Sequence, residues 1–261
     1  MISIKTPYEI ELMEIAGRIV GETHRHLETY IKPGITTKKL DELAYNFIIK
    51  SGAIPSFKDY DGFPASICTS INEEVVHGIP SDRKLKNGDI ISIDIGACYK
   101  GYHGDSAWTY PVGEISSEKK MLLEHTEQSL YEGLAVIKAG ARVGDIGYAI
   151  SKYIKKFNLG VVRELVGHGV GSQLHEMPDV PNYGVQGTGP ILKEGMVIAV
   201  EPMINLGTRE VFIGDDEWTV VTGDDSPSAH FEHTVLVTKE GFKILTKRWY
   251  DGQRRYNRSR R

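Results

Sequence analysis

Apolar residues recur at helical spacing from the start of the chain. Thr6-Pro7-Tyr8-Glu9 combines a capping hydroxyl, a proline at the first helical position and a glutamate three residues after the cap. Ile10, Met13, Ala16 or Gly17, and Val20 follow on one helix face, which predicts a helix to about Tyr30. Ile31-Lys-Pro-Gly-Ile-Thr-Thr-Lys-Lys-Leu40 then reads as a Pro-Gly turn into a second helix ending near Ser51-Gly52. The arrangement returns at an offset of 106: a helical stretch over 118–136, the turn Ile137-Lys-Ala-Gly-Ala-Arg-Val-Gly-Asp-Ile146 and a helix to about Phe157.

Strand patterns repeat in the same way. Leu85-Lys-Asn-Gly-Asp-Ile-Ile-Ser-Ile-Asp94 aligns with Leu192-Lys-Glu-Gly-Met-Val-Ile-Ala-Val-Glu201 at an offset of 107, and both copies end on a carboxylate. A period this long is no solenoid; it predicts two α+β halves, about 8–110 and 118–246, packed as one pseudo-twofold domain over 1–246.

Alternation assigns faces. In Gly88-Asp-Ile-Ile-Ser-Ile-Asp-Ile-Gly96, Ile91, Ile93 and Ile95 share one face and Ile90, Ser92 and Asp94 the other. In Met196-Val-Ile-Ala-Val-Glu201 both faces are apolar, so Glu201 ends a strand buried on both sides, and Glu232 repeats the problem in Ala229-His-Phe-Glu-His-Thr-Val-Leu-Val237. A buried carboxylate costs several kcal/mol or more unless it is paired, on the order given by ion desolvation. Lys or Arg would be the ordinary partner, yet none lies close by in these strands. A cation is the other solution. Asp105 lies eleven residues after Asp94, across a Gly-rich turn that reads as a hairpin bringing the two together. His168, in Gly167-His-Gly169, adds an imidazole whose flanking glycines would allow close approach to a bound atom. Four carboxylates and one imidazole suit two divalent ions of the Mn, Fe or Co type, with Zn or Ni as alternatives.

Composition bounds the rest. With 261 residues, 40% hydrophobic and 25% charged, the chain is ordinary globular material, long enough to need no disulfide or structural metal for its core. Two cysteines, Cys68 and Cys98, and no secretory pattern at the N-terminus point to a reducing, cytoplasmic setting. No apolar stretch approaches the roughly 20 residues of a membrane helix. The net charge of −4 conceals a basic tail: Lys247–Arg261 holds seven Lys/Arg against one Asp, either a solvated end or a contact for RNA.

Gly88-Asp-Ile-Ile-Ser-Ile-Asp-Ile-Gly96, Gly104-Asp-Ser-Ala107, Gly167-His-Gly-Val-Gly171 with His175, Glu201-Pro202 and Phe231-Glu-His-Thr234, taken in order, resemble the type I methionine aminopeptidases over about residues 3–246. The resemblance implies the pita-bread fold, with a central curved antiparallel sheet and helices outside, and a dinuclear metal site. By position, Asp94 would chelate one ion, His168 and Glu201 the other, and Asp105 and Glu232 would bridge. His77 and His175 would face the substrate, His175 donating to the carbonyl oxygen and His77 to the scissile nitrogen. Glu201 would carry the proton, and the ions would supply a hydroxide nucleophile and hold the free α-amine. Tyr60, Phe63, Cys68, His77 and Trp218 would form the methionine pocket, with Phe57 at its rim, and Cys68 would not be a nucleophile, since no base adjoins it. The substrate would be the N-terminal peptide of nascent proteins with a small second residue. Apart from the resemblance, a monomer is expected, and if the basic tail is a contact rather than a solvated end, ribosomal RNA is its expected partner.

Two positions depart from the family's pattern. Leu165 stands where an aromatic or Met is usual, and Leu174 where Phe is commoner, which would widen the pocket mouth and relax selection at the second substrate residue. An Xaa-Pro aminopeptidase of the same fold is the alternative enzyme; such relatives carry an additional N-terminal domain, whereas the repeat here starts almost at residue 1. A non-catalytic peptide- or RNA-binding relative would have lost ligands, and all five are present.

Overall fold

The computed structural model describes residues 2–248. Helix α1 (Pro7–Glu28) opens with the expected capping box: the Thr6 hydroxyl accepts from the Glu9 backbone N–H, and the Glu9 carboxylate accepts from the Thr6 N–H at 2.7 Å. Helices α2 (Thr37–Lys50) and α3 (Ser117–Leu134) are capped by the hydroxyls of Thr36 and Ser116, and α4 spans Val143–Ile154. Met13, Ala16, Gly17 and Val20 are buried as the helical period requires.

All strand pairings are antiparallel. One sheet contains Ile54–Pro55, Ile67–Ile71 and the long hairpin of Ile90–Tyr99 and Tyr102–Pro111. The other main sheet orders Phe242–Ile244, His233–Val237, Val197–Val200, Gly167–Gly169 and Glu176–Val180, and two smaller sheets complete the strands. One hydrophobic core joins Ile19, Val20 and Leu27 of α1 and Leu40 and Ile48 of α2 with Ile91, Ile93 and Ile95, and continues through Leu130 of α3 and Ile146 and Ile150 of α4 to Ile198 and Val235.

The internal repeat is written in the hydrogen bonds. Gly34 N–H donates to the Leu85 carbonyl at 2.8 Å and Leu85 N–H to that of Ile35 at 2.9 Å; Gly140 N–H donates to Leu192 at 2.9 Å and Leu192 N–H to Ala141 at 2.8 Å. Isolated bridges Thr36–Lys84 and Arg142–Ile191 fall in the same relation. The same turn is thus locked to the same strand entrance in both halves.

The halves meet where the outer hairpin strand runs beside residues 230–234. Glu232 N–H donates to the Ala107 carbonyl at 2.9 Å, and the Thr109 hydroxyl donates to the His230 carbonyl at 2.8 Å. Thr234 Oγ1 accepts from the Asp105 N–H at 3.1 Å and donates to the Asp105 carbonyl at 2.7 Å. This seam holds Asp105 and Glu232 against each other. Replacing the fully buried Thr234 by valine keeps the shape and strips both bonds; it is expected to lower unfolding free energy by about 1–3 kcal/mol, the cost of stranded buried polar groups, in urea denaturation.

Candidate metal centre

The hairpin register explains how two distant aspartates converge. Asp94 pairs with Ala107 and Gly96 with Asp105, so both aspartates stand on one face as diagonal neighbours. Cys68 pairs with Asp94 from the next strand and lines the same cavity. Glu201 follows directly on the strand Val197–Val200, and Glu232 lies between two strands at the seam. His168 sits mid-strand, and its Nδ1 donates to the Gly169 carbonyl at 2.9 Å, leaving the Nε2 lone pair for the cluster.

The glycines beside His168 have a different purpose from the one read from sequence. A Cβ on Gly167 would lie 2.4 Å from the Ala199 carbonyl oxygen, and one on Gly169 would lie 2.4 Å from that of Met177. They permit the close approach of neighbouring strands rather than of a bound atom.

Asp105, His168 and Glu232 each offer a ligand atom within 4.8 Å of the others, and so do Glu201, His230 and Glu232. His168 Nε2 lies 3.5 Å from Glu201 Oε1 and 3.8 Å from Asp105 Oδ2, and His230 Nε2 lies 3.4 Å from Glu201 Oε2. Asp94 Oδ1, Asp105 Oδ1, Glu232 Oε1 and His230 Nε2 are buried without a hydrogen-bond partner. No Lys or Arg among the described residues pairs with the four carboxylates. Unpartnered buried oxygens gathered within ligand reach of imidazole nitrogens fit divalent cations.

Burial, then mutual repulsion, drives the protonation states of the ion-free cluster. Burial raises Asp94, Glu201 and Glu232 well above the ordinary carboxylate range, each pushed further by the Asp105 charge, and burial raises Asp105 to about 7. Burial lowers His168 to about 4 and His230 to about 3, so both imidazoles are neutral at pH 7 and ready to ligate. The Cys68 thiol is pushed up by burial and by Asp94, which disarms it as a nucleophile.

A cavity of about 450 Å³ opens onto the cluster, and every residue read from sequence as a ligand, a substrate-facing histidine or a pocket wall lines it. His77 turns into it from a left-handed backbone (φ 61°), a conformation that costs about 1–3 kcal/mol in a non-glycine residue. The Tyr60 hydroxyl lies 2.9 Å from His175 Nδ1, and the His175 ring meets that of His168 edge-on at 4.2 Å. Phe57, Phe63, Cys68 and Leu174 form a buried apolar cluster with Tyr60 and Trp218 against it; the Phe63 and Trp218 rings meet edge to face at 5.2 Å. Leu174 is 2% exposed, inside this sleeve rather than at a mouth. His230 was not read from the sequence as a site residue. Its signal was available: it lies two positions before Glu232, on the same parity of the chain.

Residues 11–239 match the model of metallopeptidase family M24. The chain belongs to this family, on its methionine aminopeptidase branch. Methionine aminopeptidase 1 of Bacillus subtilis is 60% identical over 95% of this chain and all of its own length. The crystal structure of the Rickettsia prowazekii methionine aminopeptidase superposes with a TM-score of 0.93 at 47% identity, over 95% of this chain and all of that one. The prolidase of Pyrococcus furiosus, by contrast, is 25% identical with a TM-score of 0.75, and this M24 chain spans 65% of it. The pita-bread architecture and the metallopeptidase class follow.

The carboxylates set a pH signature. A carboxylate whose folded pKa is raised contributes stability that is complete below its unfolded value and is lost as pH rises through the folded value. The depressed imidazoles act in the opposite sense, and only below about pH 6.5, their unfolded value. The metal-stripped protein is therefore expected to show a Tm that falls as pH rises from about 6.5 to 8, and added Mn²⁺ or Co²⁺ should flatten that slope, by scanning calorimetry.

Proposed function

We propose that this chain is a metal-dependent aminopeptidase that removes the N-terminal methionine of nascent proteins whose second residue is small. The observation that carries the reading is one cavity joining a cluster of unpaired buried carboxylates to a sleeve of aromatic side chains and sulfur. Residues 1–246 act as one catalytic unit, a cytoplasmic monomer, with 247–261 as an appended basic segment.

Asp94, Asp105, His168, Glu201 and Glu232 would hold two divalent ions, of which Mn, Fe and Co best suit an oxygen-rich set with one or two imidazoles. Bound ions supply Lewis-acid polarisation of the scissile carbonyl and a water acidic enough to be deprotonated near pH 7. Glu201, 3.5 Å from His168 and lining the cavity, would act as the base that takes a proton from the attacking water and returns it to the leaving amine. His175, held through Nδ1 at the Tyr60 hydroxyl, turns its other nitrogen to the carbonyl oxygen as charge develops there. His77 donates to the scissile nitrogen. Tyr60, Phe63, Cys68, Leu174 and Trp218 take the thioether side chain, a flexible, polarisable group matched by rings and sulfur.

The metal-stripped protein is expected to release methionine from Met-Gly-Met-Met only after Mn²⁺, Co²⁺ or Fe²⁺ is restored, and to leave Ala-Pro peptides intact. His175→Ala should lower kcat about 10²–10³-fold, the range for loss of one oxyanion donor. Cleavage without metal, or of Ala-Pro alone, would contradict the assignment.

Contact with the ribosome through the basic tail belongs to the same reading; residues 249–261 lie outside the described residues. Deleting 251–261 should weaken co-sedimentation with ribosomes in a salt-dependent way, as phosphate contacts require, and unchanged binding at low salt would oppose it.

A further inference from the structure

His230 stands at the cluster but carries no part in the proposed reaction. It is 2% exposed, ends the strand Ser228–His230 at the seam, and lines the same cavity as the carboxylates. Its backbone is fixed from both sides: N–H to Thr109 Oγ1 at 2.9 Å, and carbonyl from the same hydroxyl at 2.8 Å. The ring is thereby held with Nε2 toward Glu201 Oε2 at 3.4 Å, beyond a good N–H···O contact, and Nε2 has no hydrogen-bond partner. A buried nitrogen without a protein partner needs a reason.

Ligand geometry supplies one. With bonds of about 2.1 Å, neighbouring ligands of a tetrahedral ion stand about 3.4 Å apart. His168 Nε2 to Glu201 Oε1 is 3.5 Å, and His230 Nε2 to Glu201 Oε2 is 3.4 Å, so each oxygen of one carboxylate faces its own imidazole at ligand spacing. The two candidate ligand groups, Asp105–His168–Glu232 and Glu201–His230–Glu232, share Glu232.

We propose that His230 is a sixth protein ligand of the metal centre, giving it a second imidazole through Nε2 between Glu201 and Glu232. The inference rests on reading the cluster as a metal site. A second borderline nitrogen donor shifts the centre's preference toward Co²⁺, Fe²⁺ and Zn²⁺ and away from Mn²⁺, which favours oxygen.

The test titrates the metal-stripped full chain with Co²⁺ and, separately, Mn²⁺, comparing the wild type with His230→Gln. Glutamine keeps a polar, hydrogen-bonding side chain at this position but lacks the imidazole nitrogen. Expected are a loss of about 10–100-fold in Co²⁺ affinity at one step, a smaller loss for Mn²⁺, and an altered visible Co²⁺ spectrum, the affinity range being that for disturbing a metal's ligand shells. Unchanged affinities and spectrum would overturn the inference and leave His230 as a hydrogen-bonding neighbour of Glu201. Failure of the wild type to bind Co²⁺ would overturn the metal reading itself, a separable outcome. Should the variant melt early without metal, ¹⁵N-histidine NMR of the wild type decides: a large shift of the His230 Nε2 signal on Zn²⁺ addition supports ligation, and an unmoved signal refutes it.

Discussion

Four carboxylates set within reach of one another, Asp105 and Glu232 buried and Asp94 and Glu201 largely so, with no Lys or Arg to pair them among the described residues, are the constraint around which this molecule is arranged. Left to themselves they would repel, and the protein could bury them only by keeping them protonated. Divalent cations remove the conflict, since positive charge inside the cluster replaces both the protons and the missing basic side chains. The same feature that makes the fold expensive therefore makes it useful: energy recovered on binding ions holds the chemistry in place.

The rest of the fold serves that placement. Two copies of one supersecondary plan, each fastened by the same turn-to-strand hydrogen bonds, deliver Asp94 and Glu201 at corresponding strand ends. The hairpin register adds Asp105, and the seam through Thr109 and Thr234 fixes Glu232 and His230 opposite it. Helices on the outer faces keep this backbone rigid, so the cavity residues are oriented by strands and not by loops alone. Other cavity residues come from the connections, among them His77, strained at a positive φ, and His175, tied to Tyr60.

Much of this was legible in the chain. Capping box, helical period and duplicated strand segments announced the elements within two or three residues, and the parity of Asp94 placed a carboxylate on the face opposite the isoleucine stripe. What stayed hidden depended on contacts between distant segments. Gly167 and Gly169 looked like room for a bound atom, whereas the demand comes from the carbonyls of Ala199 and Met177 on adjacent strands. Leu174 looked like a rim residue and is an inner wall. His230 drew no notice because an isolated histidine in an apolar strand is ordinarily a structural one; only the missing partner of its Nε2 and the distance to Glu201 separate it from that class.

The most direct measurement is the number of divalent ions held per folded chain at pH 7.5, by equilibrium dialysis with elemental analysis, in the wild type and in Asp105→Asn. The account predicts two ions in the wild type and fewer, more weakly held, in the variant. A folded wild-type chain that retains none would contradict it.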